Sequence, residues 1–470
     1  MIGGLKIEKC KNLLWLLLIL LTAGCSEDET EKSVQLEAPR VVGSTFADGA
    51  TNIPAGDLTL VFTFDQNVTA PTSGHTRITL PGATVEKLEA NLTQVTLKIT
   101  GLEKGLDYLL TIPQGVILGP TKVAASEIRM GFSTENPVIP ETPDEALCTA
   151  YPMAQTKIVY DYLLDNYGKK TLSGSMANVS WNIAEAELVK SATGKYPAIA
   201  FFDYIHLYAS PANWIDYSDI SVIEDWWTKN GLVGIGWHWM VPVSENAGKD
   251  EVTYDPDKTA FKAANATVEG TWENKTVKAD LEKITGYLKL LQDKNIPVIW
   301  RPLHEAAGNT FEFNGGKAWF WWGADGAEAY KKLWIYMFDY FQAKGICNLI
   351  WVWTTQLKDN TFYPGNAYVD IVGRDIYNQK SGSENALQYE TILKNNSRKL
   401  IALSECGNIA DISAQWAAGA RWSFFMPWYQ YDATSLVGHQ HADESWWKNA
   451  MGQDFVISRE DLPSMKSQKK

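Results

Sequence analysis

The rhythm of apolar and polar positions changes near residue 150. Between residues 38 and 135, short runs ("LTLVFTF", "TRITLPG", "QVTLKITGL", "DYLLTIPQG", "IRMGFST") alternate at period two and are separated by turn residues. Even spacing of such half-buried strands predicts a small all-β sandwich over 38–135. "ENPVIPETPDE", residues 135–145, is proline-spaced with little to bury, and predicts a semi-rigid linker spanning 136–149. Beyond it the apolar runs become nearly continuous: "TLSGSM", "PAIAFFDY", "LVGIGWHW", "PVIWRPLH", "NLIWVWTT", "VDIVGRDIY", "KLIALSECG" and "WSFFMPW". Such runs are strands covered on both faces. Between them lie segments of helical period, such as "VKADLEKITGYLKLLQDKN" and "AEAYKKLWIYMFDYFQAKG". Eight strands alternating with helices predict a (β/α)8 TIM barrel over 150–465, so the fold class is α/β preceded by a small β-sandwich. A doubly wound open sheet is the alternative, but no glycine-rich phosphate fingerprint follows any strand. No internal repeat is visible.

The first residues follow a third pattern. Lys6, Lys9 and Lys11 precede an apolar run from Leu13 to Leu21, too short to span a bilayer comfortably and ending in "TAGC" at Cys25. Small residues followed by cysteine resemble a bacterial lipobox, with Thr22 where an aliphatic residue is usual. The acidic "SEDETE" that follows resembles the surface-export signal of Bacteroidetes lipoproteins. The expectation is a signal peptide over 1–24, lipidation of Cys25, an acidic tether over 25–37, and an outer-membrane lipoprotein exposed at the cell surface. Cys148, Cys347 and Cys406 remain, too few for a disulfide framework, although one bridge is open to them.

Charge narrows the partners. A net charge of −13 excludes the basic footprint that nucleic-acid binding requires and suits a neutral polymer. Of 20 tryptophans, 19 lie after residue 180 and none lies in 38–135. The β-sandwich therefore lacks the indole platforms of a sugar-binding module and reads as a spacer.

In a barrel the chemistry sits at the C-terminal ends of the strands. The fourth strand, "IPVIWRPLHE", delivers Arg301, His304 and Glu305 there, and the seventh, "ALSECG", delivers Glu405. A lone glutamate at a strand end is more often an ion-pair partner. Two from strands that converge across one mouth are what retaining glycoside hydrolysis uses, an acid/base and a nucleophile about 5 Å apart. "HEAAG" is not a zinc-binding HExxH, because Gly308 stands where the second histidine belongs. His439 and His441, near Asp443 in "GHQHADE", read first as a solvated loop, and "LSGSM" lacks the spacing of a nucleophile elbow. Neither metal nor cofactor is expected.

Taken together, "IPVIWRPLHE", "WFWWG" (319–323), "GRDIYN" (373–378) and "LSECG" resemble glycoside hydrolase family 26, best known for endo-β-1,4-mannanases. The resemblance covers roughly residues 150–465. It implies Glu305 as acid/base, Glu405 as nucleophile and His304 beside the reacting sugar. It further implies Tyr377 hydrogen-bonding the nucleophile, Trp319 stacking on a sugar, and His238 in "GWHW" as the family's third-strand histidine. Two features depart from the family: about eight residues, "TFEFNGGK", lengthen the loop before Trp319, and Arg374 precedes Asp375. The order "FADGATNIP", "LVFTFDQNV", "GFST" resembles bacterial Ig-like domains.

Sugar rings present apolar faces, so a cleft needs flat aromatic floors with a few polar groups. Tryptophans 237, 239, 300, 319, 321, 322, 351, 353 and 428 lie in or beside strand ends. Most are expected to fill the barrel, with Trp319 and Trp428 the first candidates to face sugar. Arg301 is read either as electrostatic support for Glu405 or as a structural ion pair. The sequence thus points to a monomeric retaining hydrolase of internal β-mannan bonds. A β-1,3-xylanase or mixed-linkage β-glucanase, or a non-catalytic glycan-binding protein, is the alternative; the paired glutamates tell against the last.

Overall fold

The computed structural model describes residues 37–136, 141–177 and 181–466; Cys25 and the expected signal and lipobox lie outside them. The chain divides into two compact units, Met1–Asn136 and Pro137–Lys470.

The first unit carries β1 (Val41–Ser44), β2 (Ala50–Ile53), β3 (Gly56–Phe64), β4 (Thr84–Asn91), β5 (Gln94–Leu102), β6 (Asp107–Ile112) and β7 (Ile128–Thr134). They form two sheets, ordered β1-β3-β5-β4 and β2-β7-β6. Alternate residues of the long strands (Leu60, Phe62, Phe64, Val95, Leu97, Ile99, Leu110, Ile112) supply the core between them. The sandwich expectation holds, with one exchange of elements. "TRITLPG" makes only an isolated bridge, Thr79 to Thr111, while β4 pairs along its length with β5. A register shift between Val85 and Lys87 places Val85 and Leu88, three residues apart, both inside. That offset breaks the period-two signal by which a strand is recognised.

The second unit opens with α1 (Ala154–Asn166) and continues as β8 (Thr171–Met176), α2 (Ala184–Thr193), β9 (Ile199–Asp203), α3 (Ser221–Thr228) and β10 (Leu232–Trp237). A two-residue hairpin of β11 (Val241–Pro242) and β12 (Val252–Thr253) precedes α4 (Trp272–Asp293) and β13 (Val298–Pro302). Then follow α5 (Trp321–Ala324), α6 (Ala327–Ala343), β14 (Leu349–Thr355), β15 (Ile371–Tyr377), α7 (Gly382–Asn395) and β16 (Leu400–Gly407). α8 (Ile412–Ala417), β17 (Phe424–Pro427), α9 (Glu444–Met451) and the short β18 (Val456–Ile457) complete the unit. The parallel order β8-β9-β10-β13-β14-β15-β16-β17 closes by pairing β17 with β8, giving the predicted eight-stranded barrel. β18 adds beside β8.

Nearly every strand residue is buried, as the continuous apolar runs require. Trp237, Trp239, Trp300, Trp321, Trp322, Trp351 and Trp353 are completely enclosed, and Trp237 stacks on Trp239 at 3.9 Å between ring centroids. Seven of the nine strand-end tryptophans are therefore packing, which leaves Trp319 and Trp428. Cys148, Cys347 and Cys406 are all free.

Residues 141–149, within the expected semi-rigid linker, are fastened to the second unit. Asp144 pairs with Arg398 and, at 3.1 Å, with the buried Lys399, while the Tyr160 hydroxyl donates to the Asp144 carbonyl at 2.8 Å. Further along, the Cys148 amide donates to Asp370 at 2.7 Å and the Thr149 hydroxyl to the Leu349 carbonyl at 2.9 Å. These are polar ties, invisible to a reading that asked only for apolar residues. A chain beginning at Glu141 is therefore expected to melt like the full barrel. One beginning at Ala150 strands the Lys399 charge and should melt at least about 5 °C lower by calorimetry.

Candidate active site

The fourth barrel strand, β13, ends where its backbone turns left-handed. Leu303 and Glu305 both have φ +49°, unusual for residues with a side chain. Three hydrogen bonds hold that turn: the Tyr330 hydroxyl to the Leu303 carbonyl at 3.0 Å, the Trp322 indole to the His304 carbonyl at 2.9 Å, and the Gly308 amide to the Glu305 carbonyl at 3.0 Å. Buried aromatics fix the strained segment from below, so His304 and Glu305 are presented in one fixed geometry.

Arg301 lies two residues before that turn, 2% exposed, with each guanidinium nitrogen engaged. Nη1 donates to Glu405 Oε2 at 2.9 Å, Nη2 to Asp375 Oδ2, and Nε to Thr354 Oγ1 at 3.2 Å. Four neighbouring strands, β13 to β16, meet at this one side chain. Glu405 reaches it through a bulge: β15 and β16 pair Arg374 with Leu403 but Asp375 with Glu405, so Ser404 is an extra residue. The Ser404 hydroxyl donates to Asp375 Oδ1 at 2.7 Å and so joins the network. The other oxygen of Glu405, Oε1, accepts from the Tyr377 hydroxyl at 2.6 Å. Burial and the Glu405 charge push the Tyr377 phenol up, which keeps it a donor. At Gly407 a Cβ would come within 2.6 Å of the Tyr377 ring and 2.4 Å of His441 Nδ1, so a glycine is required for that ring to sit there.

Glu305 is treated oppositely. Burial, then the charges of Asp375 and Glu405, push its carboxyl well above the usual range; Arg301 and Arg374 offset this only in part. Glu305 is therefore the member of the pair whose protonated form is favoured, while both oxygens of Glu405 accept hydrogen bonds.

His238 follows the end of β10. Its Nδ1 donates to Asp203 Oδ2 at 2.7 Å and its amide to Asp203 Oδ1 at 3.1 Å. Burial opposes the charged form, but Asp203 and Glu405 outweigh it, so its pKa lies above the ordinary histidine value. His304 lies 4.3 Å away, ring to ring, and is held well below that value by burial and by the charges of Arg301 and His238. One imidazole leans towards the cation and its neighbour is neutral. Trp428 stands 5.6 Å from His238, half-buried, and Trp319 is 40% exposed on a cavity of about 530 Å³ shared with Met240, Tyr254 and Asp257.

The geometry thus brings Glu305, Glu405, Arg301, His304, His238 and Tyr377 together, with Trp428 against His238 and Trp319 at the rim of the neighbouring cavity. Sequence reasoning missed Asp203 and Asp375. Both carry a signal: Asp203 ends an apolar strand and Asp375 stands two residues before the end of another, close to the signature that singled out Glu305. Arg374, a departure noted above, donates to Gln388 at 2.8 Å and to the Thr355 carbonyl at 3.4 Å. His439 is occupied structurally, its Nδ1 accepting from the His441 and Ala442 amides at 3.2 and 3.1 Å while its Nε2 lies 3.3 Å from Glu185.

Lysine at position 301 has the charge but not the planar fork, and cannot serve Asp375, Glu405 and Thr354 together. Arg301→Lys is expected to cost about 3 kcal/mol of unfolding free energy in denaturant titration, because one buried carboxylate loses its partner.

Comparison with known proteins agrees with this geometry. Residues 148–460 match the model of glycosyl hydrolase family 26, and residues 36–134 that of a bacterial Ig-like domain. Mannan endo-1,4-beta-mannosidase A of Piromyces sp is 32% identical over 321 residues, 66% of this chain and 49% of its own length. The enzyme of that activity from Bacillus subtilis strain 168 is 33% identical over 283 residues, covering 54% of this chain and 72% of its own. This chain spans about half the length of the first curated relatives it matches. Among solved structures, the GH26 domain of a Prevotella bryantii endo-beta-mannanase/endo-beta-glucanase is 40% identical with a TM-score of 0.64, covering 69% of this chain and all of that one. A termite-symbiont beta-mannanase bound to a gluco-manno-oligosaccharide is 32% identical with a TM-score of 0.57, covering 69% of this chain and 99% of its own. With the family model matched over most of the chain and the paired glutamates at the barrel mouth, the chain belongs to glycosyl hydrolase family 26.

Proposed function

We propose that this chain hydrolyses internal β-1,4-mannosidic bonds of mannan, glucomannan or galactomannan with retention of anomeric configuration. The observation that carries the reading is the opposite treatment of two neighbouring glutamates: Glu405 between two donors, Glu305 half-buried beside negative charge. In the first step a Glu405 oxygen bonds to the anomeric carbon, the glycosidic C–O bond breaks, and the Glu305 proton passes to the leaving oxygen. In the second, Glu305 takes a proton from water, whose oxygen displaces Glu405. Arg301 and Tyr377 hold Glu405 in line and stabilise it as it departs. His238 and His304 line the mouth beside the pair as hydroxyl partners, with Trp319 and Trp428 as apolar floors. The mannan specificity is supported by the mannanase activity of the relatives named above. The chemistry requires no metal or cofactor, and we take the protein to act as a monomer.

We also propose that Cys25 is lipidated and anchors the protein in the outer membrane, with the Ig-like unit as spacer. The support is the apolar run ending in "TAGC" and the acidic stretch after it.

Side-by-side reducing-sugar release from galactomannan, glucomannan, β-1,3-xylan and barley glucan tests the substrate, with release from the mannans expected to dominate. Glu305→Ala should spare the first step for an aryl glycoside with a good leaving group, and azide should then give a glycosyl azide of unchanged configuration. Glu405→Ala should give no retained product under either condition. Activity should fall as pH rises through the raised Glu305 pKa, and that alkaline limb should be missing from Glu305→Ala acting on the aryl substrate. Equal responses from the two variants would refute the division of roles. For the anchor, Cys25→Ala is expected to leave the membrane fraction with barrel activity intact; a variant that still sediments with membranes refutes lipidation.

A further inference from the structure

Two phenylalanines stand in solvent at the barrel mouth. Phe311 is 42% and Phe313 59% exposed, both in the loop that leaves β13 directly after Glu305. Exposed aromatic surface is unfavourable by about 25 cal/mol per Å², so two such rings in one short loop call for an occupant.

This loop is built rather than slack. Its base is closed by the Asn309 amide donating to the Lys317 carbonyl at 2.7 Å, and by the Thr310 amide donating to the Ala307 carbonyl at 3.0 Å. Gly308, at φ +52°, allows the two arms to touch, since a Cβ there would meet the Lys317 carbonyl at 2.5 Å. Its arms reach the neighbouring mouth loops on both sides: Glu312 to Lys358 at 3.6 Å beyond β14, and Lys317 to Asp257 at 3.2 Å between β10 and α4. Phe311 rests 6.1 Å, edge on, from buried Phe362, which itself packs 5.6 Å from Tyr330, the residue that holds the Leu303 carbonyl. One aromatic chain therefore connects the exposed ring to the turn that carries Glu305.

Location decides the occupant. The group that donates a proton to the leaving oxygen lies on the side of the departing sugars, and Phe311 and Phe313 follow it in the same loop. Pyranose rings of a β-1,4-linked chain present apolar C–H faces that stack on aromatic side chains. We propose that Phe311 and Phe313 form a platform for the leaving-group-side sugars of the β-mannan chain, beyond the first such sugar. This rests on the β-mannan reading above.

The test uses the full chain with Phe311→Ala/Phe313→Ala together and Phe313→Ala alone. Substrates are mannohexaose labelled at its reducing end and an aryl β-mannobioside, whose aryl group fills only the first position past the scissile bond. Loss of a stacking platform should lower the ratio of kcat/KM for mannohexaose to that for the aryl substrate by about three- to tenfold. The principal cut in mannohexaose should also move towards the reducing end, because the chain no longer gains by extending across the loop. If removing Phe311 from Phe362 prevents the double variant from folding, Phe313→Ala must show the same shifts in the same direction. An unchanged ratio and unchanged cut, or an equal fall on both substrates, overturns the platform. A wild-type protein that leaves mannohexaose intact overturns the mannan reading instead, and the two failures are told apart by that single control.

Discussion

The site depends on one guanidinium shared between two buried carboxylates. Arg301 meets Asp375 and Glu405 at 3% side-chain exposure, where neither acid has water to replace it. Removing one member of such a cluster leaves an uncompensated charge, which is far more costly than the whole cluster is stabilising. The arrangement therefore acts on fold and chemistry together. It ties the C-terminal ends of four consecutive strands and directs one oxygen of Glu405 at Arg301, leaving the other for Tyr377. With both oxygens of Glu405 held by donors, burial and the neighbouring carboxylates raise Glu305, and Arg301 and Arg374 offset this only in part.

The histidines repeat that logic at smaller scale. Asp203 grips His238 through both its oxygens, so the ring cannot turn and its charge is stabilised. A second cation beside it is unfavourable, and His304, 4.3 Å away, is accordingly neutral. A mouth lined by a carboxylate held by two donors, a carboxyl whose pKa is raised, one imidazole leaning to the cation and one neutral imidazole offers a hydroxylated polymer both donors and acceptors.

The barrel was legible because buried parallel strands leave an unmistakable mark: eight continuous apolar runs at the positions where β8–β10 and β13–β17 lie. Glu305 and Glu405 were legible as acids at the ends of such runs, and the family resemblance added Tyr377, His238 and Trp319. Asp203 and Asp375 carried nearly the same mark and were passed over, since nothing in sequence says which such acid meets a partner across the mouth. Strand β4 was hidden by its bulge, and the fastening of residues 141–149 because most of it is polar bonding that leaves no hydrophobic pattern. The exposure of Phe311 and Phe313 depends on how a loop closes, which no local pattern encodes.

The extra residue at Ser404 has a consequence for inheritance. Side chains alternate faces along a strand, so losing that single residue would not shorten β16 by a little but turn everything beyond it over, carrying Glu405 off its present face. Substitution can be explored residue by residue in this strand, whereas a change of length is close to all-or-none. Elsewhere on the rim the rule is reversed: the loop between Glu305 and Trp319 grows outward into solvent, where additions cost little and alter only what the cleft can grip. Lineages descended from such a barrel are thus expected to diverge by gaps on one side of the mouth and by point changes on the other.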